Sequence, residues 1–219
     1  MDLDADDLRR LVSEGEGSRT EFKRGLPRPP KVARTLAAFA NTRGGYFIVG
    51  VDDNGRWIGA PRPKQTASEL IEIGRDLVDP PIEPVTRVIE VEGVRIVVAW
   101  VRSSDARPHT VERGDSERET PVRIGSSTRS ASGPSLRSVN EGRGPGGRAG
   151  LSPFEREVLD WVARQGDAAG RGRGPCTPRD FARAKNVGAA RARRAFVKLE
   201  RDGHLLAHGS GSSRSYGLP

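Results

Sequence analysis

The sequence predicts an α+β amino-terminal domain, a mixed sheet with packed helices, followed by a mainly α carboxy-terminal domain of three helices and a small hairpin. Three observations carry this reading. Helical and strand-like segments interleave irregularly through residues 1–132, without the regular alternation of a purely parallel sheet. Residues 133–150 hold six Gly and two Pro with few apolar side chains, the composition of a flexible linker. Charge also divides unevenly: residues 1–132 carry 21 Lys/Arg against 21 Asp/Glu, whereas residues 133–219 carry 16 against 8. All of the +8 net charge therefore falls in the last two-fifths of the chain, which points to a polyanion partner for that part.

In the first domain, Asp4 to Ser13 places Leu8, Leu11 and Val12 at helical spacing, with acids in the first turn where the helix dipole favours them. Thr20 to Lys23 reads as a short strand with Phe22 inward and Glu21 and Lys23 outward. After Pro27, Pro29 and Pro30 a helix follows, with Val32, Leu36 and Phe39 on one face and Ala33, Ala37 and Ala40 small enough for close packing on a sheet. It ends at Asn41. Gly44-Gly45 permits a sharp reversal, and Tyr46 to Val51 is an apolar run too short for a helix, hence a buried strand. Asp52 and Asp53 end it. Asn54-Gly55 suits a type I′ turn, returning Arg56 to Ile58 as a paired strand. Thr66 to Glu69 has the capping-box pattern, opening a helix through Leu70, Ile73 and Leu77 that Pro80-Pro81 stops. Val85 to Val91 and Val94 to Val101 form a hairpin about Glu92-Gly93, and Pro121 to Ile124 adds a last strand before Gly125 to Arg129.

In the second domain, residues 151–219, Ser152 is a candidate N-cap with Pro153 at N1 and Glu155 at N3. Val158, Leu159 and Val162 give the buried face. A second helix starts at Thr177 with Phe181 and Ala184 inward, Asn186 to Gly188 turns, and Ala189 to Asp202 is a third helix with Phe196 and Leu199 buried. His204 to Ala207 and Ser213 to Leu218 can pair. Three helices, a short turn before the third and then a hairpin is the order of a winged helix-turn-helix. Its third helix carries Arg191, Arg193, Arg194, Lys198 and Arg201. Four of them, Arg191, Arg194, Lys198 and Arg201, are expected along one stripe, offering guanidinium forks to guanine edges and phosphates. Arg214 in the hairpin is placed to reach a flanking phosphate. Trp57, Trp100 and Trp161 read as core residues.

Several function classes are excluded. No run approaches the about 20 apolar residues of a membrane span, and the acidic start is the opposite of a secretory signal, so no membrane partner and a cytoplasmic location are expected. Cys176 alone allows neither an internal disulfide nor a cysteine-rich zinc site. Gly44-Gly45 lacks the following Gly-Lys-Ser/Thr of a phosphate loop, and the Asp52-Asp53-Asn54-Gly55 spacing is not that of a calcium loop.

Glu21-Phe22-Lys23, Ala38 to Gly45, Ile48 to Gly55, Pro108-His109 and Arg123 to Arg129, in this order, resemble a Schlafen AlbA-type (AlbA_2) domain over about residues 8–132. Such domains are described as nucleic-acid-binding or ATP-binding modules and often precede helix-turn-helix segments. The resemblance implies a nucleic-acid-binding protein: a DNA-binding transcriptional regulator or, in the alternative, a Mg²⁺- or Mn²⁺-dependent endoribonuclease. For the latter the family's acidic triad falls on Glu16, Glu21 and Asp53, as metal ligands and catalytic residues at once, with Asp52 beside them. The related nucleases pair two such domains, so a homodimer would supply the second copy. DNA is then the expected partner and RNA the alternative one. Within the motifs, Lys23, His109, Arg123, Ser126, Ser127 and Arg129 are candidate phosphate contacts. The plainer readings are a structural hydrogen bond for His109 and an ordinary turn for Gly125 to Arg129.

Overall fold

The structure, a computed structural model, describes residues 3–114, 117–131, 136, 139, 151–167, 176–208 and 214–218. Among these are six helices and ten strands. The expected linker lies outside the described residues apart from Leu136 and Val139, as do residues 168–175 and 209–213.

The first 131 residues build a four-stranded mixed sheet covered on both faces. Its strands are β1 (Thr20–Lys23), β2 (Gly45–Val49), β3 (Val85–Val91) and β4 (Val94–Val101), in the order β1-β2-β4-β3. β1 and β2 run parallel because α2 (Pro29–Ala40) crosses between them, while β4 is antiparallel to both neighbours. Period-two alternation sorts the side chains. Phe47, Val49, Val97 and Ala99 face α2 and α3 (Pro63–Asp76), whereas Phe22, Ile48, Ile96 and Val98 face α1 (Ala5–Glu14).

The turn from α2 into β2 needs both glycines. Gly44 has φ +71°, and a Cβ there would lie 2.6 Å from the Val101 carbonyl oxygen. A Cβ on Gly45 would lie 2.4 Å from the Phe39 ring. Two local expectations are corrected. Arg56 to Ile58 is not a paired strand: only Val51 and Trp57 form a bridge. Asp52 Oδ1 instead accepts from the amides of Asn54 and Arg56, each at 2.9 Å, and Gly55 alone in this turn has positive φ, so it is an Asx turn and not type I′. The third helix begins at Pro63 after a left-handed Arg62, and the Thr66 hydroxyl donates to the Pro61 carbonyl in place of a capping box.

Two further hairpins follow, β5 (Val111–Arg113) with β6 (Glu117–Glu119) and β7 (Pro121–Ile124) with β8 (Ser127–Ser130). The carboxy-terminal unit comprises α4 (Pro153–Asp167), α5 (Pro178–Lys185), α6 (Ala189–Arg201) and the antiparallel pair β9 (Leu206–His208) and β10 (Ser215–Gly217). It has its own core, in which Phe181 meets Trp161 and Phe196 edge to face at 5.4 and 5.8 Å. Ala182, not Ala184, is the small residue buried on α5. The two units touch: Leu206 is buried with Val122, Ile124 and Val139 in a separate small apolar cluster.

Candidate nucleic-acid interface

Local sequence chemistry fixes the helices of the basic unit. Ser152 Oγ accepts from the Glu155 amide at 3.2 Å while Glu155 Oε2 accepts from the Ser152 amide at 2.8 Å, closing a capping box at the start of α4. Thr177 and Asp180 close a second one at α5. Asn186, left-handed at φ 51°, ends α5 and leads through Val187 and Gly188 into α6. On α6, Ala192, Ala195, Phe196 and Leu199 face the core, which turns Arg191, Arg193, Arg194 and Arg201 outward.

The six basic candidates do not behave alike. Arg193 and Arg194 are exposed and have no carboxylate partner among the described residues. Arg201 is exposed beside Asp202, 3.2 Å away. Arg191 lies over the Phe154 ring, its guanidinium carbon 4.1 Å from the centroid, which holds it toward α4. Lys198 leaves the expected stripe: its ammonium donates to Glu155 at 2.6 Å and lies 3.5 Å from Asp202. The Lys198 hydrogen bond, together with the Ser152 amide, holds the Glu155 carboxyl down at about 2. Arg214 donates to both oxygens of the buried Glu200, at 2.7 and 2.5 Å. It therefore ties the hairpin to α6. Arg179, which the sequence reading did not single out, is exposed at the amino-terminal end of α5. With Thr177, Arg193 and Val197 it lines a groove of about 670 Å³ between α5, α6 and β10. Its signal was positional: a basic residue in the first turn of a helix, where the dipole already favours an anion.

In the amino-terminal domain a cation lies between two of the acidic candidates. Lys23 Nζ is 2.7 Å from Glu21 Oε1 and 3.6 Å from Glu16 Oε1. Glu16 Oε1 also accepts from the Phe22 amide at 2.8 Å. Burial and the Glu21 charge raise the Glu16 carboxyl above its ordinary value. Asp53 is exposed, and its neighbour Asp52, held low chiefly by the Arg56 amide, is occupied in the Asx turn. Among the described residues no group of three or more His, Cys, Asp or Glu side chains is arranged to hold a metal ion. At Glu16 and Glu21 an ammonium already sits between the carboxylates, where a hard cation such as Mg²⁺ or Mn²⁺ would need free carboxylate oxygens.

The phosphate-contact candidates divide similarly. Arg123 is only 1% exposed. It donates to Glu21 at 2.8 Å, to the Gly17 carbonyl at 2.6 Å and to Thr128 at 3.1 Å, and lies over the Phe39 ring. His109 is also buried, its Nδ1 2.6 Å from the Pro80 carbonyl oxygen, and burial lowers its pKa. Ser126 is exposed at the β7–β8 turn, while Ser127 and Arg129 are half-buried in β8. The Glu-Phe-Lys strand, α2 and the β7–β8 hairpin are therefore joined through Arg123 and its partners.

The family model described as Schlafen, AlbA_2 matches residues 16–132, which takes in this whole assembly. The chain belongs to the Schlafen AlbA_2 family. That membership associates it with nucleic-acid-related function. No curated protein matches the chain. Among solved structures, the chain is similar to the N-terminal domain of a RecG-related protein from Nitrosomonas europaea, with 26% identity, a TM-score of 0.45, and coverage of 61% of this chain and 92% of that one. It is also similar to the DIP2311 protein from Corynebacterium diphtheriae, with 19% identity, a TM-score of 0.44, and coverage of 72% of this chain and 38% of that one. In the Schlafen AlbA_2 domain and in the unit after it, no described helix is long and apolar enough to cross a membrane.

Proposed function

We propose that this chain is a DNA-binding regulator in which the carboxy-terminal unit, a winged helix, reads duplex DNA and the Schlafen AlbA_2 domain is a second nucleic-acid-binding module. The observation that carries the reading is the outer face of α6. Arg193 and Arg194 project from it without carboxylate partners among the described residues, and Arg193 shares a groove with Arg179 at the amino-terminal end of α5. Residues 151–219 hold 13 Lys/Arg against 7 Asp/Glu, so the long-range field favours the same partner. In this reading Arg194 is the base-contacting fork, Arg179, Arg193 and Arg201 bind phosphates, and Lys198 and Arg214 position the helix and the hairpin through Glu155 and Glu200. The endoribonuclease alternative has less support, because two of its three carboxylates, Glu16 and Glu21, already face Lys23 and Arg123.

The test is fluorescence anisotropy of the full chain on labelled duplex DNA at several salt concentrations. With about four phosphates neutralised, log K should fall against log salt with a slope of about −3 to −4. Arg193→Ala should flatten that slope by about one, and Arg194→Ala should weaken binding by about 1–3 kcal/mol with altered sequence preference. A flat salt response would sink the reading.

A further inference from the structure

Val197 is the most exposed of the large hydrophobic side chains among the described residues, at 45%. It stands on α6 four residues after Arg193, three after Arg194 and four before Arg201, so helical spacing puts it at the centre of the outward face. Ala192, Ala195, Phe196 and Leu199 turn to the opposite side, into the core. Arg191 and Lys198 are drawn toward α4 by Phe154 and Glu155. The centre of the outward face is therefore Ala190 and Val197 set among guanidinium groups. A helix face that meets only water gains nothing from a β-branched apolar residue at its centre, because valine is a poor helix former and its methyl groups stay hydrated.

Val197 also lines the groove between α5, α6 and β10. Pro178 and Ala189 extend its apolar surface there. The charged residues of the lining are Arg179, Arg193 and Arg214, and among the described residues no Asp or Glu joins them. An apolar patch framed by cations suits a ligand that presents a methyl group between anionic groups. Duplex DNA does this at every thymine, whose C5 methyl lies in the major groove between the two phosphate backbones. Duplex RNA does not: uracil lacks the methyl, and the A-form major groove is too deep and narrow for side chains to read.

We propose that Val197 is a specificity-determining residue that packs on the C5 methyl of a thymine in the major groove, so that α6 selects DNA carrying a thymine close to the base read by Arg194. This contact rests on the winged-helix reading of α6. Side chains three residues apart on a helix stand about 5–6 Å from each other, and base pairs are stacked about 3.4 Å apart, so the two bases lie within about two steps. The arginines attract any duplex through its phosphates, whereas a methyl contact exists only at thymine. Burying one methyl corresponds to about a fourfold gain in affinity.

The full chain is first used to enrich duplexes from a random-sequence DNA pool, and the enriched duplex becomes the probe. Each of its thymines is replaced in turn by deoxyuridine, which removes one methyl and leaves the pairing intact. Affinities of the full-length wild type, Val197→Ser and Val197→Ile are then read by fluorescence anisotropy. Serine matches valine in helix propensity, so α6 is preserved. The expected result is one thymine whose replacement weakens the wild type and Val197→Ile about fourfold and leaves Val197→Ser unaffected. All three proteins should share one salt slope, because the phosphate contacts remain, and that shared slope reports an intact fold. An RNA duplex of the same sequence should bind at least tenfold more weakly. Wild type that is indifferent to every deoxyuridine, Val197→Ser that keeps the methyl dependence, or RNA that binds as tightly as DNA would each overturn the proposal. Salt-dependent duplex binding with no sequence enriched over the starting pool also overturns it and leaves the DNA reading standing, whereas a chain that binds no duplex removes both.

Discussion

Arg123 heads the fully buried side chains by volume among the described residues, and its surroundings show what a buried guanidinium does here. It neutralises Glu21, which is itself mostly buried, and satisfies carbonyls of the loop before β1. Truncating it leaves that carboxylate short of a partner, so Arg123→Met should lower the unfolding free energy by about 3–5 kcal/mol in urea titrations, with duplex affinity of the folded fraction unchanged. An intact stability with lost nucleic-acid affinity would instead return Arg123 to the phosphate contacts. The Glu155–Lys198 pair gives a pH prediction. Folding lowers the Glu155 pKa to about 2, so the unfolded chain takes up the proton first as pH falls. The stabilisation is therefore complete above the ordinary carboxylate range and is lost progressively as pH drops toward 2. Trp161 fluorescence against pH should show the carboxy-terminal unit weakening in that window, and Glu155→Gln should flatten the curve. The spacing Ser152 to Glu155 made the cap legible in the sequence, because a cap is local. The role of Arg123 was not legible, since its partner Glu21 lies 102 residues away.

Elements were readable where the period was long. The helices with a three-to-four repeat and the β3–β4 hairpin stand where apolar spacing put them. Failures fall on segments whose backbone answers to a side chain. Asp52 took the amides that a type I′ hairpin would have used, and the Thr66 hydroxyl turned back to Pro61. The short β5–β6 pair carries too little apolar pattern to declare itself. The Gly44-Gly45 turn was recognised from composition, but the reason for two glycines is tertiary. One must hold a positive φ against the Val101 carbonyl, and the other must admit the Phe39 ring. Gly44→Ala and Gly45→Ala should each cost about 1–3 kcal/mol of stability, the first through strain and backbone contact, the second through overpacking on Phe39. Thermal melts of the two variants check this; a neutral Gly45→Ala would show that the α2–β2 packing is looser than the geometry indicates.

At the scale of the whole molecule, charge asymmetry pointed to a division of labour between the two units, and no sequence pattern pointed to their contact. That contact is made by the face of the β9–β10 pair against β7. Leu206 is buried on Val122 and Ile124, and Val139, from within the expected linker, is buried with them. Gly217 in β10 is the closest approach: a Cβ built there would lie 2.4 Å from Ile124 Cγ2. Its φ is not in the left-handed region, so a β-branched residue suits the strand itself and conflicts only with the neighbouring unit. Gly217→Val is thus a wedge between two separately cored bodies. If the docking orients the basic face of α6 relative to the Schlafen AlbA_2 domain, this variant should keep both cores and release one from the other. Backbone ¹⁵N relaxation should then give two rotational correlation times where the wild type gives one, and the contact loss should expose Ile124 amides to faster hydrogen exchange. Short duplexes read by α6 alone should bind with unchanged affinity. Long substrates that must reach both units should bind more weakly, because losing the fixed geometry lowers the effective concentration of one unit at the other's site. A single correlation time in Gly217→Val, with unaltered exchange at Ile124, would show that the β7 contact does not hold the units together.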